Sequence, residues 1–195
     1  LEDYKVIPDR IEAGSYILAT MATKGRLRLN NFNPDDLTFP LKIYQDMGLK
    51  IKKISKTSYE FNCKTLKPIK KISTKEFPGY PTDLQAQLIA TQLKSALKSK
   101  VVENIFENRF IHIPELRRFG ANLSIIGKTV TIHKTLNLFG AEVMATDIRA
   151  SFSLIIAAMM SKGTTVINRI YHLDRGYEDF DLKLKKCGVN ISRKK

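Results

Sequence analysis

Asp9-Arg-Ile-Glu-Ala-Gly-Ser15 is the first of three short segments in which an aspartate precedes a run of small and apolar residues. The other two are Asp83-Leu-Gln-Ala-Gln-Leu88 and Asp147-Ile-Arg-Ala-Ser-Phe152. About 40 residues after each aspartate, a glycine precedes an alternating, strand-like segment. These segments are Gly48-Leu-Lys-Ile-Lys52, Gly120-Ala-Asn-Leu-Ser124 and Gly188-Val-Asn-Ile-Ser192. The recurrence indicates one supersecondary unit that is used three times.

Each unit predicts helices alternating with strands and a closing β-hairpin, which gives βαβαββ after permutation. The predicted elements are helices 11–21, 37–47, 83–97, 113–118, 147–160 and about 177–187, strands 26–29, 101–105 and 164–168, and hairpin strands 49–54 with 58–63 and 122–126 with 129–132. Glycines 25, 48 and 188 are expected to end helices. In the third unit only 189–192 is available, so that hairpin lacks its second strand.

The units have no Pro/Gly/Ser-rich linker between them, so we expect one α/β domain over residues 1–195, with repeats at about 1–66, 67–135 and 136–195. Three units around a pseudo-threefold axis would place helices inside and sheets outside. The longest apolar run, 152–160, is far shorter than the roughly 20 residues of a membrane-spanning helix. Two cysteines are too few for a disulfide framework, which favours a reducing cytoplasm.

The net charge of +14 has three interpretations: a nucleic-acid partner, a small anionic substrate, or a lysine-rich surface without a function. The lysines are dispersed along the chain and concentrated at its end, and dispersed lysine is usually a solvated surface. The composition therefore favours the third interpretation, and neither a nucleic acid nor a membrane is the expected partner.

Asp83 is the main candidate for chemistry because it follows Tyr80-Pro-Thr, a turn that would direct its carboxylate along the start of a helix. The alternative is an N-cap, for which aspartate is among the best residues. Because Asp9 and Asp147 hold matching positions, the pattern alone favours capping for all three.

Two arginines have a similar double interpretation. Arg175 lies in a polar, glycine-containing loop, where a guanidinium can bind phosphate or carboxylate through two parallel hydrogen bonds. Alternatively, it pairs with Asp174, Glu178 or Asp179. Arg149, two residues after Asp147, has the same two interpretations.

Residues 105–109, Ile-Phe-Glu-Asn-Arg, place a large aromatic beside three polar groups. Phe106 is either a core residue or a stacking surface at a pocket. The three histidines lack ligand spacing and no glycine-rich phosphate loop is present, so neither a metal nor a cofactor is predicted. Cys63 and Cys187 fit buried structural thiols better than nucleophiles.

With these motifs, the chain closely resembles the bacterial UDP-N-acetylglucosamine enolpyruvyl transferases along essentially its whole length. The matching segments follow the family order and spacing: Asp9-Arg-Ile-Glu-Ala-Gly14, Pro78-Gly-Tyr-Pro-Thr-Asp-Leu-Gln-Ala-Gln87, Glu103-Asn-Ile-Phe-Glu-Asn-Arg-Phe110, Pro114-Glu-Leu116, Met144-Ala-Thr-Asp-Ile-Arg-Ala150 and Arg169-Ile-Tyr-His-Leu-Asp-Arg-Gly-Tyr177.

The resemblance implies that the chain is the C-terminal half of a two-globe enzyme. Each globe of the family is an inside-out α/β barrel of three βαβαββ units, and the N-terminus of the full chain completes the C-terminal globe. The family reaction moves the enolpyruvyl group of phosphoenolpyruvate onto the 3-hydroxyl of UDP-N-acetylglucosamine, through a tetrahedral intermediate, in the first committed step of peptidoglycan synthesis.

The resemblance also assigns roles to individual residues. Asp83 matches the general base that contacts the sugar 3-hydroxyl, and Ile105, with Phe106 beside it, matches a UDP-sugar contact. Arg175 matches an arginine that binds phosphoenolpyruvate, while Asp147 and Arg149 match residues lining the same cleft.

The departures concern the other globe. The family's reactive cysteine and its lysine–asparagine pair belong to the N-terminal half, and neither Cys63 nor Cys187 matches that cysteine. We therefore expect the isolated chain to be inactive and to need the N-terminal half as its partner. The enzymatic alternative is the shikimate-pathway enolpyruvyl transferase, and the non-enzymatic one is a basic nucleic-acid-binding module.

Overall fold

The centre of the molecule is formed by three helices, one from each predicted unit. The computed structural model describes residue 3 and residues 6–95 and 98–194. The central helices are α1 (Arg10–Ala22), α3 (Gln85–Gln92) and α5 (Phe152–Met160), and they pack against one another. Every residue of α3 is buried, as expected for a helix surrounded by other elements. The predicted placement of helices inside is confirmed.

Three separate sheets lie around these helices. The strands are β1 (Arg26–Leu29), β2 (Lys50–Lys53), β3 (Tyr59–Asn62), β4 (Lys71–Ser73), β5 (Ser99–Val102), β6 (Leu123–Ile126), β7 (Thr129–Ile132), β8 (Glu142–Met144) and β9 (Val166–Asn168). Their orders are β1-β3-β2, β4-β5-β7-β6 and β8-β9. The first is antiparallel, the second combines a parallel β4–β5 pair with antiparallel β5, β7 and β6, and the third is parallel. The α/β class is confirmed, and within the described residues the three sheets do not close into one barrel.

The remaining helices lie between the strands, and three of them end at a repeated glycine. They are α2 (Thr38–Asp46), α4 (Ile113–Arg118), α6 (Tyr171–Asp174) and α7 (Phe180–Lys186). The glycines after α2, α4 and α7, which are Gly48, Gly120 and Gly188, have φ of 108°, 88° and 88°. At Gly48 a Cβ would also lie 2.2 Å from the Thr65 carbonyl oxygen, so only glycine fits this turn.

The structure corrects several predicted boundaries. The left-handed residue after α1 is Lys24, with φ of 55°, and not Gly25. Helix α3 ends at Gln92 rather than at 97; residues 96 and 97 lie outside the described residues. Helix α5 begins at Phe152 because residues 147–151 form a turn, in which the Ser151 hydroxyl bonds to the Asp147 carbonyl.

The third unit departs furthest from its expected pattern. Its last helix begins at Phe180 rather than near 177, and the short α6 precedes it. Residues 189–192 are not a strand, because no neighbouring strand within the described residues supplies ladder partners for their backbone groups. The sequence predicted that the third hairpin lacks its second strand, and accordingly residues 189–192 do not form a strand.

A buried hydrogen-bonded junction connects the three units. Ser15 lies on α1, Gln87 on α3, and Tyr177 between α6 and α7, and all three are buried. The Ser15 and Tyr177 hydroxyl oxygens are 2.8 Å apart, and the Gln87 amide nitrogen is 3.1 Å from each of them. Burial raises the pKa of Tyr177 to about 12, although hydrogen bonds with Ser15 and Gln87 act in the opposite direction. We refer to these three residues as the central junction.

A further buried polar group is the ring of His112, which directly precedes α4. Burial, helped by the charge of Arg109, lowers its pKa from 6.5 to about 3. The ring is therefore neutral in the folded protein near neutral pH. No helix within the described residues is both long and apolar enough to cross a bilayer.

We predict that Tyr177→Phe lowers the free energy of unfolding by about 1–3 kcal/mol, because Ser15 and Gln87 lose a buried hydrogen-bonding partner. Urea unfolding of the 195-residue chain measures this change. Tyr171→Phe is the matched control, since Tyr171 is 54% exposed and should change stability by less than about 0.5 kcal/mol. Equal effects of the two substitutions would contradict a role for the central junction in stability.

We also predict a pH dependence that is due to His112. Its pKa is lower in the folded chain than in the unfolded chain, so the unfolded chain binds an additional proton below pH 6.5. The free energy of unfolding should therefore decrease as the pH falls from 6 to 4.5, with a contribution approaching about 1.4 kcal/mol per pH unit. His112→Phe should remove this contribution from the slope.

Candidate functional site

Asp83 lies in a 3₁₀ turn, Thr82–Leu84, directly before α3. The N–H groups of Leu84 and Gln85 bond to the carbonyls of Pro81 and Thr82, so the backbone itself satisfies the start of the helix. The Asp83 side chain caps no backbone N–H and is 41% exposed. Its Oδ1 accepts a hydrogen bond of 2.7 Å from Arg109, and within the described residues its Oδ2 has no partner.

The three repeated aspartates therefore have different roles. Asp9 is the N-cap of α1 and accepts from the N–H groups of Ile11 and Glu12 at 2.8 and 3.1 Å. Asp147 accepts from the N–H of Ala150 within the turn before α5. The N-cap interpretation is correct for Asp9 and wrong for Asp83. Asp147 also accepts a hydrogen bond from a backbone N–H, but it does so in a turn before α5 and not at the first residue of the helix. The carboxylate of Asp83 is available for another function.

The segment after β5 brings Arg109 and Phe106 to Asp83. The Arg109 guanidinium lies 5.2 Å from the centroid of the Phe106 ring, a cation–π distance, while its Nη2 holds Asp83. Phe106 is 54% exposed and Ile105 is partly buried. The core interpretation of Phe106 is therefore wrong, and the ring presents an open stacking surface. Sequence reasoning gave Arg109 no role, although it is the only basic residue of the segment 103–110.

Glu103 is a second residue that sequence reasoning missed. It follows β5, is only 2% exposed, and accepts hydrogen bonds from the hydroxyls of Thr74 and Thr82 and from the N–H groups of Ile105 and Phe106. The sequence signal was a carboxylate at the end of an apolar strand, where a buried charge needs several donors.

Arg149 connects the first and third units beside Asp83. Its guanidinium donates to Asp9 at 2.8 Å and to the Gly176 carbonyl at 2.7 Å, and it lies over the Tyr177 ring at 5.4 Å. Burial opposes the charge on both partners. Nevertheless, their mutual hydrogen bond and attraction hold the pKa of Asp9 below 3.8 and raise that of Arg149.

Arg175 has an exposed side chain next to Gly176, the residue that Arg149 contacts. Within the described residues its guanidinium makes no hydrogen bond or ion pair. The pairing considered with Asp174, Glu178 or Asp179 is not formed, and Asp174 instead binds Arg193 at 2.6 and 3.0 Å. The guanidinium of Arg175 is free to bind an anion.

Gln87 lies between Asp83 and Arg149. Its amide nitrogen is within hydrogen-bond distance of the carbonyl oxygens of these two residues, at 2.9 and 3.1 Å, and of the hydroxyls of Ser15 and Tyr177, so that its two hydrogens are shared among four acceptors. The site thus has a carboxylate with an open oxygen, an exposed aromatic ring, and arginines from two units. Such a set can accept a proton from a hydroxyl and bind the anionic groups of a substrate. Within residues 3, 6–95 and 98–194, no three His, Cys, Asp or Glu side chains are grouped to hold a metal ion.

Comparisons with known proteins give one family. The family model described as EPSP synthase (3-phosphoshikimate 1-carboxyvinyltransferase) matches residues 1–184. Two curated relatives named UDP-N-acetylglucosamine 1-carboxyvinyltransferase, from Pelagibacter ubique and Campylobacter lari, are 47% and 48% identical over 191 residues. The alignments cover 98% and 97% of this chain but 46% and 45% of the relatives. The chain spans about half the length of the curated relatives it matches.

Two solved structures have the same fold. The enolpyruvyl transferase NikO from Streptomyces tendae has a TM-score of 0.85 at 24% identity, covering 97% of this chain and 45% of its own. EPSP synthase from Acinetobacter baumannii has a TM-score of 0.72 at 15% identity, covering 98% and 44%. At these identities the likeness concerns the fold alone.

We predict that Asp9→Ala and Asp83→Ala differ in their effect on stability. Asp9→Ala removes a cap and the partner of Arg149, so the free energy of unfolding should fall by about 1–2 kcal/mol. Asp83→Ala removes only a partly exposed ion pair and no cap, so the free energy of unfolding should fall by less than about 1 kcal/mol. Urea unfolding compares the two variants with wild type. A loss at Asp83 as large as that at Asp9 would mean that Asp83 also supports α3.

Proposed function

Because the chain belongs to the EPSP synthase (3-phosphoshikimate 1-carboxyvinyltransferase) family, we propose that it forms the C-terminal globe of an enolpyruvyl transferase. The single observation that carries this proposal is the carboxylate of Asp83. It caps no helix, is oriented through Oδ1 by Arg109, and leaves Oδ2 open beside an exposed aromatic ring. A general base needs a carboxylate that is held in place and has one accessible oxygen.

The acceptor that we propose is UDP-N-acetylglucosamine. The relatives that are 47–48% identical are named for this sugar nucleotide, whereas the solved EPSP synthase is only 15% identical. The enzyme would then catalyse the first committed step of peptidoglycan synthesis. The exposed Phe106 ring and the neighbouring Ile105 suit contacts with a large acceptor that has an aromatic base and a sugar.

In the proposed reaction Asp83 accepts the proton of the sugar 3-hydroxyl while the oxygen of that hydroxyl bonds to C2 of phosphoenolpyruvate. A proton is added at C3 by the other half of the enzyme, which gives a tetrahedral intermediate. Loss of phosphate from C2 and of a proton from C3 then restores the double bond as an enol ether. Every atom of the two substrates is thus accounted for in the product and the phosphate.

The arginines supply the positive charge that this reaction needs. Arg175, which is exposed and without a partner in the described part of the chain, would bind the phosphate or carboxylate of phosphoenolpyruvate. Arg149 would act beside it in a supporting role, because Asp9 and the Gly176 carbonyl already hold its guanidinium in place. Asp147 would line the same region. No cofactor is required for these steps.

The chain would need an N-terminal half as its partner, since it spans about half of its relatives. We propose that it is a single globe over residues 1–195, with repeats at about 1–66, 67–135 and 136–195, and that it works in the cytoplasm. Within residues 3, 6–95 and 98–194 no strand pairs with 189–192, so a strand from the N-terminal half would complete the third hairpin. The isolated chain should then bind substrate weakly and release no phosphate.

We predict that a chimera releases phosphate from phosphoenolpyruvate in the presence of UDP-N-acetylglucosamine. The chimera joins this chain to the part of the Pelagibacter ubique relative that the chain does not cover. Asp83→Ala should lower kcat by about 10²–10⁴-fold, because proton removal loses its base. Asp46→Ala, a change at an exposed aspartate of α2, is the matched control and should retain activity.

Three outcomes would contradict parts of the proposal. A folded chimera that uses 3-phosphoshikimate in place of the sugar nucleotide would overturn the acceptor. Full activity of Asp83→Ala would overturn the role of the carboxylate. Phosphate release by the isolated chain would show that the N-terminal half is not needed.

A further inference from the structure

The buried side chain of Glu103 connects the two segments that carry the proposed chemistry. Its Oε1 accepts hydrogen bonds from the N–H groups of Ile105 and Phe106, at 2.8 and 3.2 Å, and from the Thr74 hydroxyl at 2.8 Å. Its Oε2 accepts from the Thr82 hydroxyl at 2.8 Å. One oxygen therefore holds the segment with Phe106, and the other holds the turn with Asp83.

The backbone after Glu103 is held at three successive residues. The Asn104 N–H donates to the Thr74 hydroxyl at 2.8 Å, and the next two N–H groups donate to Glu103. Thr74 is itself fixed through its backbone N–H, which bonds to the Val102 carbonyl at 2.9 Å. The segment is thus turned around the carboxylate, and this places Phe106 at the surface.

The turn with Asp83 and the segment with Phe106 are connected twice, once near the surface and once in the interior. Arg109 and Asp83 connect them through partly exposed side chains, whereas Glu103 and Thr82 connect them in the interior. In the described part of the chain no cation lies within ion-pair distance of the Glu103 carboxylate, and the donors to it are hydroxyl and backbone N–H groups. Such a carboxylate is costly to bury and is retained only where its hydrogen bonds matter.

We propose that Glu103 is a positioning residue for the enolpyruvyl transfer, setting the distance between the Asp83 carboxylate and the acceptor-binding segment at Ile105 and Phe106. This inference rests on the proposed function. Glu103 acts through the Thr82 hydroxyl on the Asp83 turn and through two N–H groups on the acceptor segment. Small displacements of a base from its substrate are expensive in rate, so the two connections should have separable kinetic effects.

The variants separate these connections. Thr82→Val removes only the bond to the Asp83 turn at nearly constant shape, and Glu103→Ala removes both connections. Glu103→Gln is the conservative variant: its carbonyl oxygen can replace Oε1, and its amide can donate to the Thr82 hydroxyl. Glu76→Ala is the matched control, because Glu76 is exposed and its side chain has no hydrogen bond or ion pair within the described residues.

Steady-state kinetics of the chimera with UDP-N-acetylglucosamine and phosphoenolpyruvate give the first measurement. Thr82→Val should lower kcat by about 3–10-fold and leave the KM for UDP-N-acetylglucosamine within about twofold, because the base moves while the acceptor segment stays. Glu103→Ala should lower kcat and also raise this KM, so that kcat/KM falls by at least about 30-fold. Glu103→Gln and Glu76→Ala should remain within about threefold of wild type.

Hydrogen exchange of the 195-residue chain gives a second measurement that needs no activity. The N–H groups of Ile105 and Phe106 should exchange slowly in wild type and in Thr82→Val, and at least about tenfold faster in Glu103→Ala. Unfolding midpoints of all variants identify a loss of fold, and Thr82→Val keeps the test valid if Glu103→Ala does not fold.

The outcomes separate this inference from the proposed function. If the wild-type chimera is inactive with UDP-N-acetylglucosamine and also with 3-phosphoshikimate, the proposed function is overturned. The positioning role is then overturned as well, whatever the exchange rates are. An active chimera in which Thr82→Val and Glu103→Ala both keep kcat/KM within twofold overturns the positioning role alone. The positioning role is also overturned if the kcat/KM of Glu103→Gln falls as far as that of Glu103→Ala. It is likewise overturned if the N–H groups of Ile105 and Phe106 exchange in Glu103→Ala at the wild-type rate.

Discussion

The hydrogen-bonded junction of Ser15, Gln87 and Tyr177 is the constraint on which the site depends. Each residue comes from a different unit and each is buried, and the two hydroxyls and the amide nitrogen lie within hydrogen-bond distance of one another. The same Gln87 nitrogen also reaches the carbonyls of Asp83 and Arg149. The core and the candidate site therefore share one polar group, and the relative position of the three units determines where Asp83 and Arg149 lie.

Repetition of one unit allowed its equivalent positions to take different roles. The first aspartate caps a helix and binds Arg149, the third closes a turn, and the second is left with an open oxygen. The difference comes from the 3₁₀ turn before α3, which satisfies its own backbone and needs no side-chain cap. The helix start in the second unit thus leaves a carboxylate oxygen open, while the equivalent aspartates of the other two units bond to backbone N–H groups.

Two of the three arginines at the site are held by carboxylates. Arg149 and Arg109 are held by Asp9 and Asp83, while Arg175 has no partner in the described part of the chain. The paired arginines are oriented before any ligand arrives, which lowers the entropy lost on binding. The unpaired arginine is a cation that can bind an anionic group of a substrate through two parallel hydrogen bonds.

The sequence by itself determined the three units, most of the helices and strands but not β4, β8 or α6, the glycines after α2, α4 and α7, and Asp83 and Arg175 as candidates. Periodicity and cap chemistry are local properties, so a single chain displays them. The tertiary structure alone decided that Asp83 is not a cap, that Arg109 orients it, that Glu103 supports both segments, and that Arg149 binds Asp9. These pairs join residues far apart in the chain, such as Asp9 and Arg149, and only the packing of the three units brings them together.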